Sequence, residues 1–340
     1  MHPNITFRTQ LLGGVTEFCQ QSGIPLITNP IHLVELVVLL ARFKEEGVSL
    51  CPKVYLTNNM DTLASMLPEV EKLCIGRAAS DIQGIKLATK KCAPLAIGGW
   101  LIYIHDKQQE IEFGLFKGSS NPISVSVDDV IMETSEDLLV VKAFQIAEEC
   151  VEIRSNNGSF HYVFLNHRKE DSPPPLQFLN DLVISIVDDV DLKEKESVTS
   201  FLKKLFFEAL RQSHGCIVAV TNMKHVPKFL SDDGTILDHP INYTELVCNT
   251  KNNTISQFCL DNNGYLLKGM LNTDGIIIFD NKARLLGYNC FIKNSKNIAV
   301  IGGARKRAFA SLSSKIGKGL CAVFMQSQDG WSDFKGKSNE

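Results

Sequence analysis

The stretch that decides the fold lies in the last quarter of the chain and reads Asp274-Gly275-Ile276-Ile277-Ile278-Phe279, then Ile298-Ala299-Val300-Ile301-Gly302-Gly303-Ala304-Arg305-Lys306-Arg307. The apolar runs predict two buried strands, the first preceded by a carboxylate and the second followed by a glycine corner and a basic helix. Glycines let backbone N–H groups approach a phosphate, and a helix N-terminus favours an anion. Arginine forks hold phosphate oxygens in bidentate geometry. This order of residues predicts a nucleotide site.

The predicted site assigns a role to each of its residues. An aspartate opposite the basic helix can hold a metal ion or orient a ribose hydroxyl. The glycine and basic residues would contact the phosphates, and the strand residues would contact the base, together with the region 217–219. The candidate nucleotide contacts are Asp274, Gly275, Ile276, Gly303, Arg305, Lys306 and Arg307.

Three motifs in this order resemble those of the diadenylate cyclase superfamily, the nucleotidyltransferases that join two ATP molecules into cyclic di-AMP. The family's D-G-A motif is matched by Asp274-Gly275-Ile276, and its G-T-R-H-R-A motif by residues 303–308. Its first core strand is similar to His214-Gly215-Cys216-Ile217-Val218-Ala219-Val220. The resemblance covers residues 196–333. It implies ATP or a cyclic dinucleotide as ligand and Mg²⁺ or Mn²⁺ as metal cofactor.

The chain departs from the family pattern at positions that matter for catalysis. Lys306 stands in place of the motif histidine, and Ile276 in place of a small alanine. Family cyclases carry an S-E-E-T-G string after the next strand, whose acidic residue helps to hold the metal. Here Ser327 and Gln328 occupy the acidic positions, and Asp329 follows. Mg²⁺ prefers charged oxygen ligands, so we expect nucleotide binding to be retained and turnover to be weak or absent.

Three hypotheses follow. The leading one is an adenine-nucleotide-binding sensor module of the diadenylate-cyclase-like type. The alternative is an active, metal-dependent diadenylate cyclase with Asp274 as the catalytic metal ligand and Asp329 replacing the lost glutamate. Because family cyclases bring two active sites face to face, that alternative demands a homo-oligomer. A third hypothesis is an interaction scaffold without a ligand.

The predicted fold is α/β, with a C-terminal mixed sheet flanked by helices. Predicted domains are an N-terminal α/β domain at 1–120, a β-rich connector and linker at 121–195, the nucleotide-binding domain at 196–333 and a tail at 334–340. The sheet strands are predicted at 216–220, 276–279, 298–301 and 320–324, with an amphipathic helix over 198–210 packed against them. Proline-rich Lys169–Pro175 is the predicted linker. No internal repeat is visible in the sequence.

The N-terminal half adds a weaker similarity. Residues 39–47 and 86–95 resemble the leader of a bacterial group that pairs it with a degenerate cyclase-type domain thought to sense nucleotides. This agrees with the altered acidic motif at Gln328.

Composition excludes several classes of protein. With 340 residues, 44% hydrophobic, the chain is long enough for two cores. Its net charge of −3 argues against binding to a nucleic-acid duplex, and no apolar stretch is long enough for a membrane span. The ten cysteines are scattered singly, without a C-x-x-C pair, and no signal peptide is visible, so reduced thiols in a cytoplasmic protein are expected.

Overall fold

The chain forms two compact units with mixed α/β structure. The computed structural model describes residues 7–23, 29–67, 69–118, 127–132, 138–147, 149–165, 178–213, 215–230, 234–292, 303–327 and 331–336. The first unit comprises residues 1–120 and 125–171, and the second comprises 121–124 and 172–340. Among the described residues, the longest and most apolar helices fall short of what crossing a membrane requires.

The first unit is built on a seven-stranded sheet with helices on both faces. The strand order is β4-β6-β5-β3-β7-β8-β9, and only the β3–β5 pair is parallel. One face is buried under α1, α2 and α4, and the other under α3 and α5. The elements are α1 (Phe7–Ser22), α2 (Pro30–Ala41), β1 (Lys44–Glu45), β2 (Val48–Ser49), β3 (Lys53–Thr57), α3 (Met60–Ser65), β4 (Glu71–Ala79), α4 (Ile82–Cys92), β5 (Leu101–Asp106), β6 (Glu110–Lys117), α5 (Val127–Met132), β7 (Val140–Ala147), β8 (Cys150–Ser155) and β9 (Phe160–Phe164).

The second unit is built on a six-stranded sheet in the order β11-β13-β12-β10-β14-β15. Helix α10 covers one face through Phe309 and Leu312. Helix α7 covers the other, where the Phe206 and Phe279 rings lie 5.7 Å apart. The elements are α6 (Leu179–Ile186), α7 (Leu192–Gln212), β10 (Cys216–Thr221), β11 (Thr235–Asn242), α8 (Tyr243–Lys251), α9 (Gln257–Leu271), β12 (Ile276–Asp280), β13 (Arg284–Cys290), α10 (Ala304–Ser313), β14 (Ala322–Gln326) and β15 (Ser332–Gly336).

The two units share one strand topology. Strands β3–β8 of the first sheet correspond to strands β10–β15 of the second. When each set of six is numbered along the chain, both lie in the spatial order second, fourth, third, first, fifth, sixth. The pair formed by the first and third strands is parallel in both units, and the other four pairs are antiparallel. The repeat that the sequence does not show is therefore present in the fold.

Two local interactions also recur at equivalent places. The first strand ends in a buried threonine and an asparagine in both units, and the threonine hydroxyl accepts a 3.1 Å hydrogen bond from the backbone N–H two residues on, at Thr57 and at Thr221. In the fifth strand a glutamine amide donates to a carbonyl near the end of the preceding long helix. Gln145 donates to Ala41 at 2.9 Å, and Gln326 donates to Leu210 at 3.0 Å.

Several predicted boundaries change. Residues 121–195 do not form a separate connector, because β7, β8 and β9 complete the first sheet while α6 belongs to the second unit. The first residues of the predicted tail, 334–336, form the end of β15, which spans Ser332–Gly336. Helix α7 begins at Leu192, earlier than predicted, since its first turns are charged and hide the apolar period. The predicted strands at 216–220, 276–279 and 320–324 are confirmed within a residue or two. The strand predicted at 298–301 and the linker at 169–175 lie outside the described residues.

Candidate functional site

Asp274 and Gly275 form the corner between α9 and β12. Asp274 is exposed, and Gly275 has a φ of +98°, which side-chain-bearing residues rarely adopt. A Cβ at Gly275 would lie 2.8 Å from the carbonyl carbon of Asn289 in β13. Glycine is thus required by both conformation and space. This tight approach holds the Asp274 carboxylate at the point where β12 begins.

The basic residues occupy the first turn of α10. Gly303 is the N-cap residue and, as a glycine, brings no capping side chain of its own. The first N–H groups of a helix have no acceptor within the helix, and such groups favour an anion. Arg305 is half-buried, and Lys306 and Arg307 are exposed. The first turn has no acidic residue, so its charge is wholly positive.

The structure brings these two groups to one end of the second sheet. Strands β10 and β12 are parallel and in register from Ile217 and Ile276, so both begin at this end. Strand β14 is antiparallel to β10 and ends there, with Gln326 opposite Cys216. We call this end, defined by Asp274, Cys216 and Gln326, the Asp274 end.

One contact and one electrostatic interaction place the start of α10 at the Asp274 end. The ammonium group of Lys306 lies 4.8 Å from the ring centroid of Trp331, which directly precedes β15. The charge of Arg305 acts on the thiol of Cys216, the first residue of β10. Burial raises the pKa of this thiol to about 12, and Arg305 opposes that shift. The Asp274 carboxylate and the basic helix start therefore share one end of the sheet.

Buried polar atoms near this end lack hydrogen-bond partners. They belong to the side chains of Gln326, Ser327 and Ser332, where the amide or hydroxyl oxygen is buried and pairs with no described residue. Native structures seldom leave such groups unsatisfied, so water or a polar ligand is expected to reach them. In the first unit the equivalent amide oxygen, on Gln145, accepts a 3.2 Å hydrogen bond from Cys51.

Ile276 is placed differently from the other described candidate residues. Ile276 is 2% exposed and packs in the core, so a ligand at the surface would meet its backbone rather than its side chain. Asp329 and Gln328 lie outside the described residues.

The described residues do not by themselves build a metal centre. They contain no group of three or more histidine, cysteine, aspartate or glutamate side chains with metal-binding geometry. Asp274 alone offers one carboxylate, whereas Mg²⁺ or Mn²⁺ sites combine carboxylates with phosphate oxygens and water.

A groove that the motifs did not indicate adjoins the Asp274 end. It has a volume of about 600 Å³, runs along α9 and reaches Thr273, the residue before Asp274. Two aromatic rings face it, Tyr265 and Tyr288, with Leu266 and Met270 beside them. Tyr265 and Leu266 are exposed large apolar side chains on α9 and line this groove, but nothing in their sequence pattern marked them.

Comparison of the chain with models of protein families and with curated proteins finds no match. The resemblance of its motifs to the diadenylate cyclase superfamily stays a prediction, and the function is inferred from the chemistry of the Asp274 end.

Proposed function

We propose that the second unit binds an adenine-type nucleotide at the Asp274 end and acts as a nucleotide sensor with little or no turnover. The observation that carries the proposal is that a glycine-constrained carboxylate, at Asp274-Gly275, lies at the same end of the sheet as the start of α10, whose N-cap is a glycine and whose first turn has basic and no acidic residues. The basic start of α10 suits a phosphate chain, and the Asp274 carboxylate suits a ribose hydroxyl.

Each part of the ligand has a matching group. The N–H groups after Gly303 and the side chains of Arg305 and Arg307 would hold phosphate oxygens. Lys306 would add a point charge, and the Trp331 ring beside it offers a surface on which a base can stack. The Asp274 carboxylate would accept a hydrogen bond from a sugar hydroxyl. These groups occur along the chain in the same order as the corresponding motifs of the diadenylate cyclases, which the sequence resembles.

Weak or absent turnover has a physical cause. Joining two nucleotides requires a metal to neutralise the transferring phosphoryl group and to activate the attacking hydroxyl. Ser327 and Gln328 stand where the family pattern has acidic residues, so the metal would lack a charged ligand. Affinity survives this loss because the basic groups of α10 remain.

The test is calorimetric titration of the full chain with ATP, AMP and cyclic di-AMP, followed by mass spectrometry of the nucleotides after incubation with Mg²⁺ or Mn²⁺. We expect binding without conversion. Conversion of ATP to cyclic di-AMP that Asp274→Asn abolishes would establish the cyclase alternative instead. Failure of all three ligands to bind would leave the scaffold hypothesis.

A further inference from the structure

Positive charge on the second unit extends well beyond the proposed nucleotide site. Between Asp280 and Asp329 the chain has nine lysine or arginine residues and no acidic residue, in a protein whose net charge is −3. Two of these cations are used internally, since Arg284 pairs with Asp280 and Lys282 with Asp189. The others described are Arg305, Lys306, Arg307, Lys315 and Lys318.

These cations fall into two groups at the two ends of α10. The helix has ten residues and is about 15 Å long. Arg305, Lys306 and Arg307 lie in its first turn, whereas Lys315 and Lys318 follow its last. Because α10 lies along the sheet, the second group is at the opposite end from Asp274, where β10 ends. We call this the Lys315 end.

The Lys315 end is a tight junction of two basic loops. Thr221 donates a 2.6 Å hydrogen bond to the carbonyl of Gly319, which fixes the loop after α10 on the end of β10. A Cβ at Gly319 would lie 3.2 Å from Met223, so the two loops touch. The loop after β10 brings further cationic or titratable side chains, on Lys224, His225 and Lys228, and its residues 221–230 include no acid.

An aromatic ring accompanies each basic group. At the Lys315 end the ammonium of Lys315 lies 5.7 Å from the ring centroid of Phe229, and at the Asp274 end Lys306 lies over Trp331. Both rings pack on the core and are only partly covered. Within the described residues, Arg305, Lys306, Lys315 and Lys318 form no ion pair.

Paired cations and rings about 15 Å apart suit a flexible chain of phosphates and bases. A single mononucleotide cannot span that distance, and a duplex hides the faces of its bases. Single-stranded nucleic acid presents both groups: its phosphates meet basic side chains, and its bases stack on aromatic rings without regard to sequence. Flexible lysines, as at the Lys315 end, suit a diffuse phosphate backbone better than one fixed phosphate.

We propose that the α10 face of the second unit binds single-stranded nucleic acid, running from Lys306 and Trp331 at one end to Lys315 and Phe229 at the other. This goes beyond the nucleotide proposal: Lys306 and Trp331 belong to both proposals, but the Lys315 end takes no part in the nucleotide site.

The experiment is a fluorescence anisotropy titration of the full chain with a labelled 12-nucleotide oligo-adenylate, at several salt concentrations. Lys315→Gln with Lys318→Gln removes two phosphate contacts. For single strands each contact contributes about 0.7 to the slope of log affinity against log salt, so we expect the slope to fall by about 1.4. The matched control, Lys193→Gln with Lys251→Gln, removes two exposed lysines from α7 and α8 on the other face and should leave the slope unchanged.

Two further readings complete the test. Phe229→Leu keeps bulk in the core but removes the ring, and should weaken oligonucleotide binding by about five-fold or more. ATP titration of the Lys315/Lys318 variant should be unaltered, which separates this proposal from the nucleotide site. The proposal is overturned if the oligonucleotide does not bind at low salt, if both double variants lose affinity equally, or if a duplex or poly-glutamate binds as tightly.

Discussion

The two units have the same order and direction of six strands, yet different residues stand beside the corresponding strands. Before the third strand the second unit has Asp274-Gly275, and the first has Gly98-Gly99. The helix before the fifth strand is α10 in the second unit, whose first turn carries Arg305, Lys306 and Arg307, and it is α5 in the first. The shared topology therefore does not bring the residues of the proposed site with it, and these residues lie in the second unit.

The largest expected difference between the units is in the stability lost when the glycine before the third strand is replaced by alanine. Gly275 and Gly99 both have positive φ, at +98° and +90°. A Cβ at Gly275 would collide with backbone at 2.8 Å, whereas at Gly99 it would meet the flexible Lys117 side chain at 3.4 Å. We expect Gly275→Ala to lower the free energy of unfolding by about 3 kcal/mol, and Gly99→Ala by about 1 kcal/mol. Urea unfolding of both variants measures this, and equal losses would show that the corner at Gly275 is not constrained.

Acid should act on the first unit through Glu112. Its carboxylate accepts a 2.8 Å hydrogen bond from Lys107 and lies 3.3 Å from Lys72, and these groups lower its pKa to about 2. A depressed pKa means that the stabilisation is present above the ordinary value of 4.5 and is lost as pH falls toward 2.

We expect the urea concentration at the midpoint of unfolding of the first unit to decrease as the pH is lowered from 4.5 to 2.5. The Glu112→Gln variant should be less stable than the wild type at pH 7 and should not show this decrease. Glu110→Gln, which removes a more exposed carboxylate 3.5 Å from Arg77, is the control and should change little. An unchanged pH profile in Glu112→Gln would refute the assignment.

The smallest expected difference between the units is in the stability lost on replacing the glutamine of the fifth strand, Gln145 or Gln326. Gln145 satisfies two partners, Ala41 and Cys51, whereas Gln326 satisfies Leu210 and leaves its amide oxygen without a partner in the described residues. Replacement by leucine should therefore cost about 1 kcal/mol more at Gln145 than at Gln326. If Gln326→Leu is the costlier change in thermal unfolding, the water or ligand expected at its amide oxygen is bound tightly enough to stabilise the fold.

Sequence patterns predicted the central strands and missed the repeat, for physical reasons. Strands β10, β12 and β14 are buried on both faces, so each reads as an apolar run. Strand β11 lies at the sheet edge and is mostly exposed, and its polar sequence gave no signal. A repeated topology needs only apolar positions and turns to recur. Thr57-Asn58 and Thr221-Asn222 are among the few identities that survive at equivalent places.

The motif order predicted that Asp274-Gly275 and Arg305 share a site, and the fold places β12 and the start of α10 at one end of the second sheet. The surroundings of these residues were not predicted. The Lys306–Trp331 contact and the groove at Tyr265 and Tyr288 depend on how distant elements pack, which no local pattern encodes. The basic residues 305–318 read as one cluster in the sequence, and the fold separates them to the two ends of α10.

The stoichiometry of nucleotide binding tests the central claim most directly. Calorimetric titration of the full chain with ATP should give one equivalent per chain. Arg305→Ala should weaken binding by about 1.5–3 kcal/mol, the cost of a lost charge-assisted hydrogen bond. Arg77→Ala, at an exposed arginine of the first unit, should leave affinity unchanged. Two equivalents per chain, or an affinity that Arg305→Ala does not alter, would contradict a single site at the Asp274 end.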